Sequence, residues 1–150
     1  MWLDAILAYL HYIAIFMLFA FLTVEVMMVR GALEAAAVRL IGRVDLWYFG
    51  AALAVLATGG LRLAFGAKGA AFYLSAWPIY AKLGLFLAVA MVSFAPTLTF
   101  IRWRRAFERD PQWQVPMPER RRMRRLLMVE LHLAALIPVF AVMMARGLGS

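Results

Sequence analysis

The sequence predicts an all-α fold, an integral membrane four-helix bundle. Three observations predict it: the composition, the length of the apolar runs and the placement of the arginines. Of the 150 residues, 66% are hydrophobic, and the mean hydropathy is +0.83. A soluble domain carries about 45–50% apolar residues, so too little polar surface remains here to cover a globule in water. Cysteine is absent, which excludes disulfides and thiolate metal sites.

A helix of about twenty apolar residues crosses the roughly 30 Å hydrocarbon core of a bilayer. Four runs qualify, at about 4–28, 45–66, 77–101 and 126–146. The first follows Asp4 with no basic segment before it and is long enough to span, so it reads as a span and not as a cleaved signal. The second ends in LRLAFGAKGAAFY, where Gly66 and Gly69 mark a turn. The third opens with WPIYAKLGLF, and its Pro78 suits a first helical turn. Pro96 in the third run and Pro138 in the fourth are expected to kink their helices, a defect that neighbouring helices accommodate in membranes. Residues 1–150 are read as one four-span domain without internal repeats.

Twelve of the sixteen Lys and Arg residues fall in two connections. Arg30, Arg39 and Arg43 flank the first; Arg102, Arg104, Arg105, Arg109, Arg120, Arg121, Arg122, Arg124 and Arg125 belong to a basic loop at 102–125. With four spans these connections share one side, which the positive-inside rule assigns to the cytoplasm of a bacterial inner membrane. Both termini and the 67–76 connection then lie outside. The loop IRWRRAFERDPQWQVPMPERRRMRR mixes aromatics with arginines, but beside a membrane such a patch orients the protein and attracts anionic lipid. No nucleic-acid partner is expected. Trp47, Trp77, Tyr80 and Trp103 sit near span ends, as an aromatic belt requires.

Ionisable groups inside spans are costly and usually face the bundle interior along a functional path. From His11 to Glu25 is fourteen residues, which returns the side chain to within about 40° of its starting direction, roughly 21 Å along the axis. His132 and Arg146 align in the same way on the fourth helix, whereas Glu130 points nearly opposite to His132. Lys82 aligns with Ser93, with Thr97 close by, and Thr58 and Arg62 are one turn apart. By depth, His11, Arg62, Lys82 and Arg146 form an outer set, and Glu25, Asp45, Glu130 and His132 an inner one.

The outer set, one imidazole with three cations, suits a bulky apolar anion that takes a nitrogen ligand. Heme meets that description: His11 would ligate the iron, Lys82, Arg62 and Arg146 would neutralise propionates, and Phe16, Met17, Phe86 and Met91 would wall the macrocycle. The bland reading is that the cations snorkel to the interface and His11 is a hydrogen-bonded structural residue. Ligation of one iron by His11 and His132 together is disfavoured, since about 12 Å separates their expected depths. The inner set would bind a divalent metal, relay protons or pair with arginines at the boundary. No nucleophile triad, phosphate-binding glycine loop, selectivity filter or transporter repeat is present.

The stretches HYIAIFMLFAFLTVE, RVDLWYFGAALAVLATGGLRLAFGAKGAAFYL, YAKLGLF and VELHLAALIPVFAVMMARG resemble a bacterial family of small four-helix integral membrane proteins of unknown function. More distantly, His11 and Lys82-Leu83-Gly84-Leu85 are similar to positions of the membrane protoporphyrinogen oxidase (HemJ-type) family. That resemblance implies His11 as the axial ligand, Lys82 as a propionate or substrate partner, and Glu130 at an acidic position of the last helix. The chain departs from that family at Val89 to Ser93, where a further histidine tends to stand, and at His132.

The expectation is therefore a b-type heme or porphyrin-binding membrane protein, an electron-transfer or porphyrinogen-oxidising oxidoreductase acting on a porphyrin or a quinone. Lys82, Glu25 and Glu130 would carry its chemistry, with Glu25 and His132 moving protons or supplying a second ligand. Two competing expectations are a non-catalytic bundle held by polar contacts and a divalent-metal protein using the inner set. A homodimer would supply interior volume that four spans lack.

Overall fold

The computed structural model describes residues 2–66, 71 and 74–146; Gly69 and much of the 67–76 connection lie outside the described residues. Four long helices carry the chain: α1 (Trp2–Arg30), α2 (Ala35–Phe65), α3 (Trp77–Arg109) and α4 (Met117–Ala145). Each is long and apolar enough to cross a membrane. At 29 to 33 residues they reach roughly 44–50 Å, well beyond the hydrocarbon core.

The excess length gathers at the arginine-rich end and corrects one expectation. The basic segment 102–125 is no loop: α3 continues to Arg109, a short connector covers 110–116, and α4 already begins at Met117. Arginine, leucine and methionine are good helix formers. The Arg104–Glu108 pair at 3.4 Å supports the last turns of α3, and Pro118 stands in the first turn of α4, where its missing N–H costs nothing. Both helices run unbroken through Pro96 and Pro138.

The helices pack in chain order around a square, α1 on α2, α2 on α3, α3 on α4 and α4 on α1, with no close backbone approach across the diagonals. Large apolar side chains such as Phe16, Leu46, Leu53, Met91 and Leu98 cover the outside, as lipid as solvent demands. In lipid, apolar burial gives helices little reason to associate, so close packing and polar contacts must hold them.

That packing is uneven. Leu18, Leu22, Val26 and Val29 of α1, Val38, Ile41 and Tyr48 of α2, Phe100, Trp103 and Phe107 of α3, and Met123 and Leu127 of α4 form one core toward the arginine-rich end. Beyond Ala51 in α2 and Ala134 in α4, no described residue of those helices is buried. The bundle is tight at one end and looser at the end that carries the termini, where α1 and α3 still bury Leu7, Ala14 and Pro78.

The tight end is tied by specific hydrogen bonds. The Arg120 guanidinium donates to the carbonyls of Val29 (3.0 Å), Arg30 (2.6 Å) and Gly31 (2.6 Å), groups that the end of α1 leaves without helical partners. Trp103, expected in the aromatic belt, is instead fully buried, and its indole N–H donates to Glu119 at 2.8 Å. Arg102 meets the same carboxylate oxygen at 2.7 Å.

Candidate functional site

The polar groups of the spans form two clusters, one near each end. At the loose end His11 is half-buried against α2, with Nδ1 2.9 Å from the Thr58 hydroxyl. Thr58 donates its single proton to the Ala54 carbonyl at 2.6 Å, with Val55 O at 3.3 Å as a weaker second acceptor. The ring must therefore be the donor in the His11–Thr58 bond. Its Nδ1 carries the hydrogen, and Nε2 keeps a free lone pair.

Gly59 makes the approach possible. A Cβ at this position would stand 3.3 Å from His11 Cε1, tighter than ordinary contact. One turn further along α2, Arg62 lies with its guanidinium 5.9 Å from the Tyr12 ring centroid, a cation–π distance. Its Nε is buried and has no hydrogen-bond partner. The charges of Arg62 and of Lys82 from α3 both act on His11.

Arg146 does not join them; it ends α4 through its backbone, and the residue is exposed. Three of the expected wall residues also face outward, Phe16, Met17 and Met91, whereas Phe86 packs on the core.

Toward the tight end, each helix contributes to a second cluster. Glu25 of α1 and Glu130 of α4 are each 1% exposed, and Asp45 and Tyr48 of α2 and Ser93 of α3 are also buried. The Ser93 hydroxyl lies 2.5 Å from Glu130 Oε1, 2.8 Å from the Val89 carbonyl and 3.3 Å from the Tyr48 hydroxyl. Thr97 is 2.9 Å from Asp45 Oδ1 and 3.0 Å from the Ser93 carbonyl. Glu25 Oε1 and Glu130 Oε2 have no hydrogen-bond partner. Among the described residues, no three His, Asp or Glu side chains are gathered closely enough to hold a metal ion.

His132, grouped by depth with these acids, is not among them. It is exposed, and its Nδ1–H donates to the Met128 carbonyl of its own helix at 2.6 Å. Two residues turn a helix by about 200°, so burying Glu130 sends His132 to the outside. His11 and His132 are therefore not brought together as a ligand pair. The partners of the acids, Tyr48 and Ser93 for Glu130 and Thr97 for Asp45, were not paired from sequence. The available signals were the Asp45–Tyr48 spacing of three and the Ser93–Thr97 spacing of four.

A family model described as a predicted membrane protein, DUF2214, matches residues 3–149. The chain belongs to the DUF2214 family. No curated protein and no solved structure is similar enough to match it. The multi-pass membrane architecture of this DUF2214 member is thus carried both by its family and by its four spanning helices.

Proposed function

We propose that this DUF2214 protein binds heme b at the loose end of its bundle and serves as an electron-transfer oxidoreductase of the bacterial inner membrane. The observation that carries this reading is the 2.9 Å contact of His11 Nδ1 with Thr58: with the Thr58 proton on the Ala54 carbonyl, Nδ1–H is the donor and Nε2 is left to ligate. Ligating histidines characteristically donate their other nitrogen to an acceptor that fixes tautomer and ring orientation.

Two further features fit the same ligand. Arg62 and Lys82 place two cations beside the imidazole, and Arg62 holds a buried N–H that a carboxylate oxygen would satisfy. The loose packing beyond Ala51 and Ala134 leaves that end of the bundle able to part around an apolar body. Bound heme would supply one-electron transfer; the protein supplies ligation, charge neutralisation and exclusion of water. In this reading His11 is the ligand, Arg62 and Lys82 hold the carboxylates, and Arg146 has no part. The arginine-rich extensions of α3 and α4 would lie in the cytoplasm against anionic lipid.

Protein purified from membranes should show a Soret band that shifts on reduction. His11→Ala should lose it while remaining helical. A colourless preparation that also takes up no added heme would end this reading and leave a bundle whose polar groups only hold helices together.

A further inference from the structure

Three carboxyl groups, Glu25, Asp45 and Glu130, come from three different helices and are buried with Tyr48 among them. Asp45 and Glu130 lie near enough to Glu25 for their charges to act on it. The groups facing them from each packed helix are Glu25 on α1, Asp45 and Tyr48 on α2, Ser93 and Thr97 on α3 and Glu130 on α4. None is a cation. The nearest basic side chains along each helix turn elsewhere: Arg30, Arg43, Arg102 and Arg125 are exposed, and Lys82 lies with Arg62 at the other cluster. An unpaired carboxylate in a low-dielectric interior is far more costly than its neutral acid.

The hydroxyl geometry accommodates the same protonation. Ser93 has one proton and two acceptors within reach, the Val89 carbonyl and Glu130 Oε1, with Tyr48 alongside. If Glu130 is ionised, one of those contacts brings two acceptors together with no hydrogen between them. If Glu130 carries a proton on Oε1, Ser93 donates to Val89 and accepts from Glu130 and Tyr48, and every contact is satisfied. Thr97 repeats the pattern: its one proton has two acceptors within reach, the Ser93 carbonyl and Asp45 Oδ1, and a proton on Asp45 would let both contacts carry a hydrogen. Beside these sit two buried oxygens without partners, Glu25 Oε1 and Glu130 Oε2.

We propose that Glu25, Asp45 and Glu130 form a proton-binding site that holds exchangeable protons as neutral carboxyls inside the folded bundle. Loading is plain protonation: a hydronium ion gives up a proton and remains as water, and a carboxylate oxygen gains an O–H bond. A metal cation is a poorer occupant because the acids are too dispersed to ligate one ion together. The inference does not depend on heme, and its test uses protein with or without it.

The experiment is infrared spectroscopy of the full chain in lipid nanodiscs at neutral pH, where surface acids are ionised and only buried neutral acids show a carboxyl C=O stretch. The wild type should show that band, and transfer to heavy water should shift it. Glu25→Gln, Asp45→Asn and Glu130→Gln should each remove a component. Absence of the band from the wild type, a band that heavy water never shifts, or a band erased by adding sodium or calcium would each overturn the proposal. The wild-type isotope shift decides the matter even where a variant fails to fold.

Discussion

Arg120, the fourth residue of α4, closes the end of α1 by donating from Nε to the Val29 carbonyl at 3.0 Å. Its Nη2 reaches the Arg30 and Gly31 carbonyls as well, so one planar fork serves three acceptors. Apart from Arg102 and Arg104, which pair with Glu119 and Glu108, the other arginines of the segment 102–125 are read as charge facing headgroups. This one is a structural tie between the first helix and the last.

Replacing it should cost stability where replacing a neighbour does not. Arg120→Ala is expected to destabilise the bundle by about 2 kcal/mol, the scale of charge-assisted hydrogen bonds at a partly exposed site. Arg120→Lys should restore only part, because an ammonium cannot span the three carbonyls. Arg121→Ala, at an exposed position, serves as the control. Equal unfolding midpoints for Arg120→Ala and Arg121→Ala in mixed detergent would refute the tie.

Thr58 and Gly59 should govern the state of His11 although neither would touch a ligand. Thr58→Val keeps the side-chain shape and removes the acceptor for Nδ1–H, freeing the tautomer. Heme affinity is expected to fall about 10-fold or more, the usual effect of losing an outer-shell partner of a ligating histidine. Gly59→Ala puts a methyl 3.3 Å from His11 Cε1 and should displace the ring, again weakening heme uptake with helicity unchanged. Titration of added heme into the two variants, followed at the Soret band, measures both. Wild-type affinity in Thr58→Val would show that the hydroxyl does not set the tautomer.

Glu119 links α3 to α4 at the arginine-rich end and gives that link a pH dependence. The Trp103 indole N–H holds its carboxyl below the usual carboxylate range against the opposing effect of burial, with Arg102 and Arg122 assisting. A depressed folded value means that the stabilisation is present above the unfolded carboxylate pKa and is lost as pH falls through the folded one. Acidification should therefore loosen the α3–α4 tie, with the change in Trp103 fluorescence following protonation of Glu119. Glu119→Gln should abolish that acid-side transition; its survival unchanged in the variant would assign it to another group.

Helix periodicity made part of the site legible in advance. The count along α1 placed His11 and Glu25 on one face at two depths, and both are indeed turned toward neighbouring helices. The count along α4 separated Glu130 from His132, and one is buried while the other is exposed. Grouping by depth alone then failed for His132 and Arg146, since equal height says nothing about which way a side chain points. It failed likewise for Phe16, Met17 and Met91, whose apolar character suits lipid as well as a binding wall.

Composition and the spacing of apolar and basic residues were enough, by themselves, to determine four spanning helices, their rough limits and the gathering of arginines at one end. These are properties of single segments in a solvent that has no other way to satisfy a backbone. Tertiary structure alone decided which polar groups meet: His11 with Thr58, Glu130 with Ser93, Asp45 with Thr97 and Arg120 with the end of α1. Each meeting depends on how far a helix is rotated about its axis and shifted along it relative to its neighbours. Every face here is apolar enough for lipid, so the hydrophobic pattern does not encode those rotations, and only the packing of particular side chains sets them.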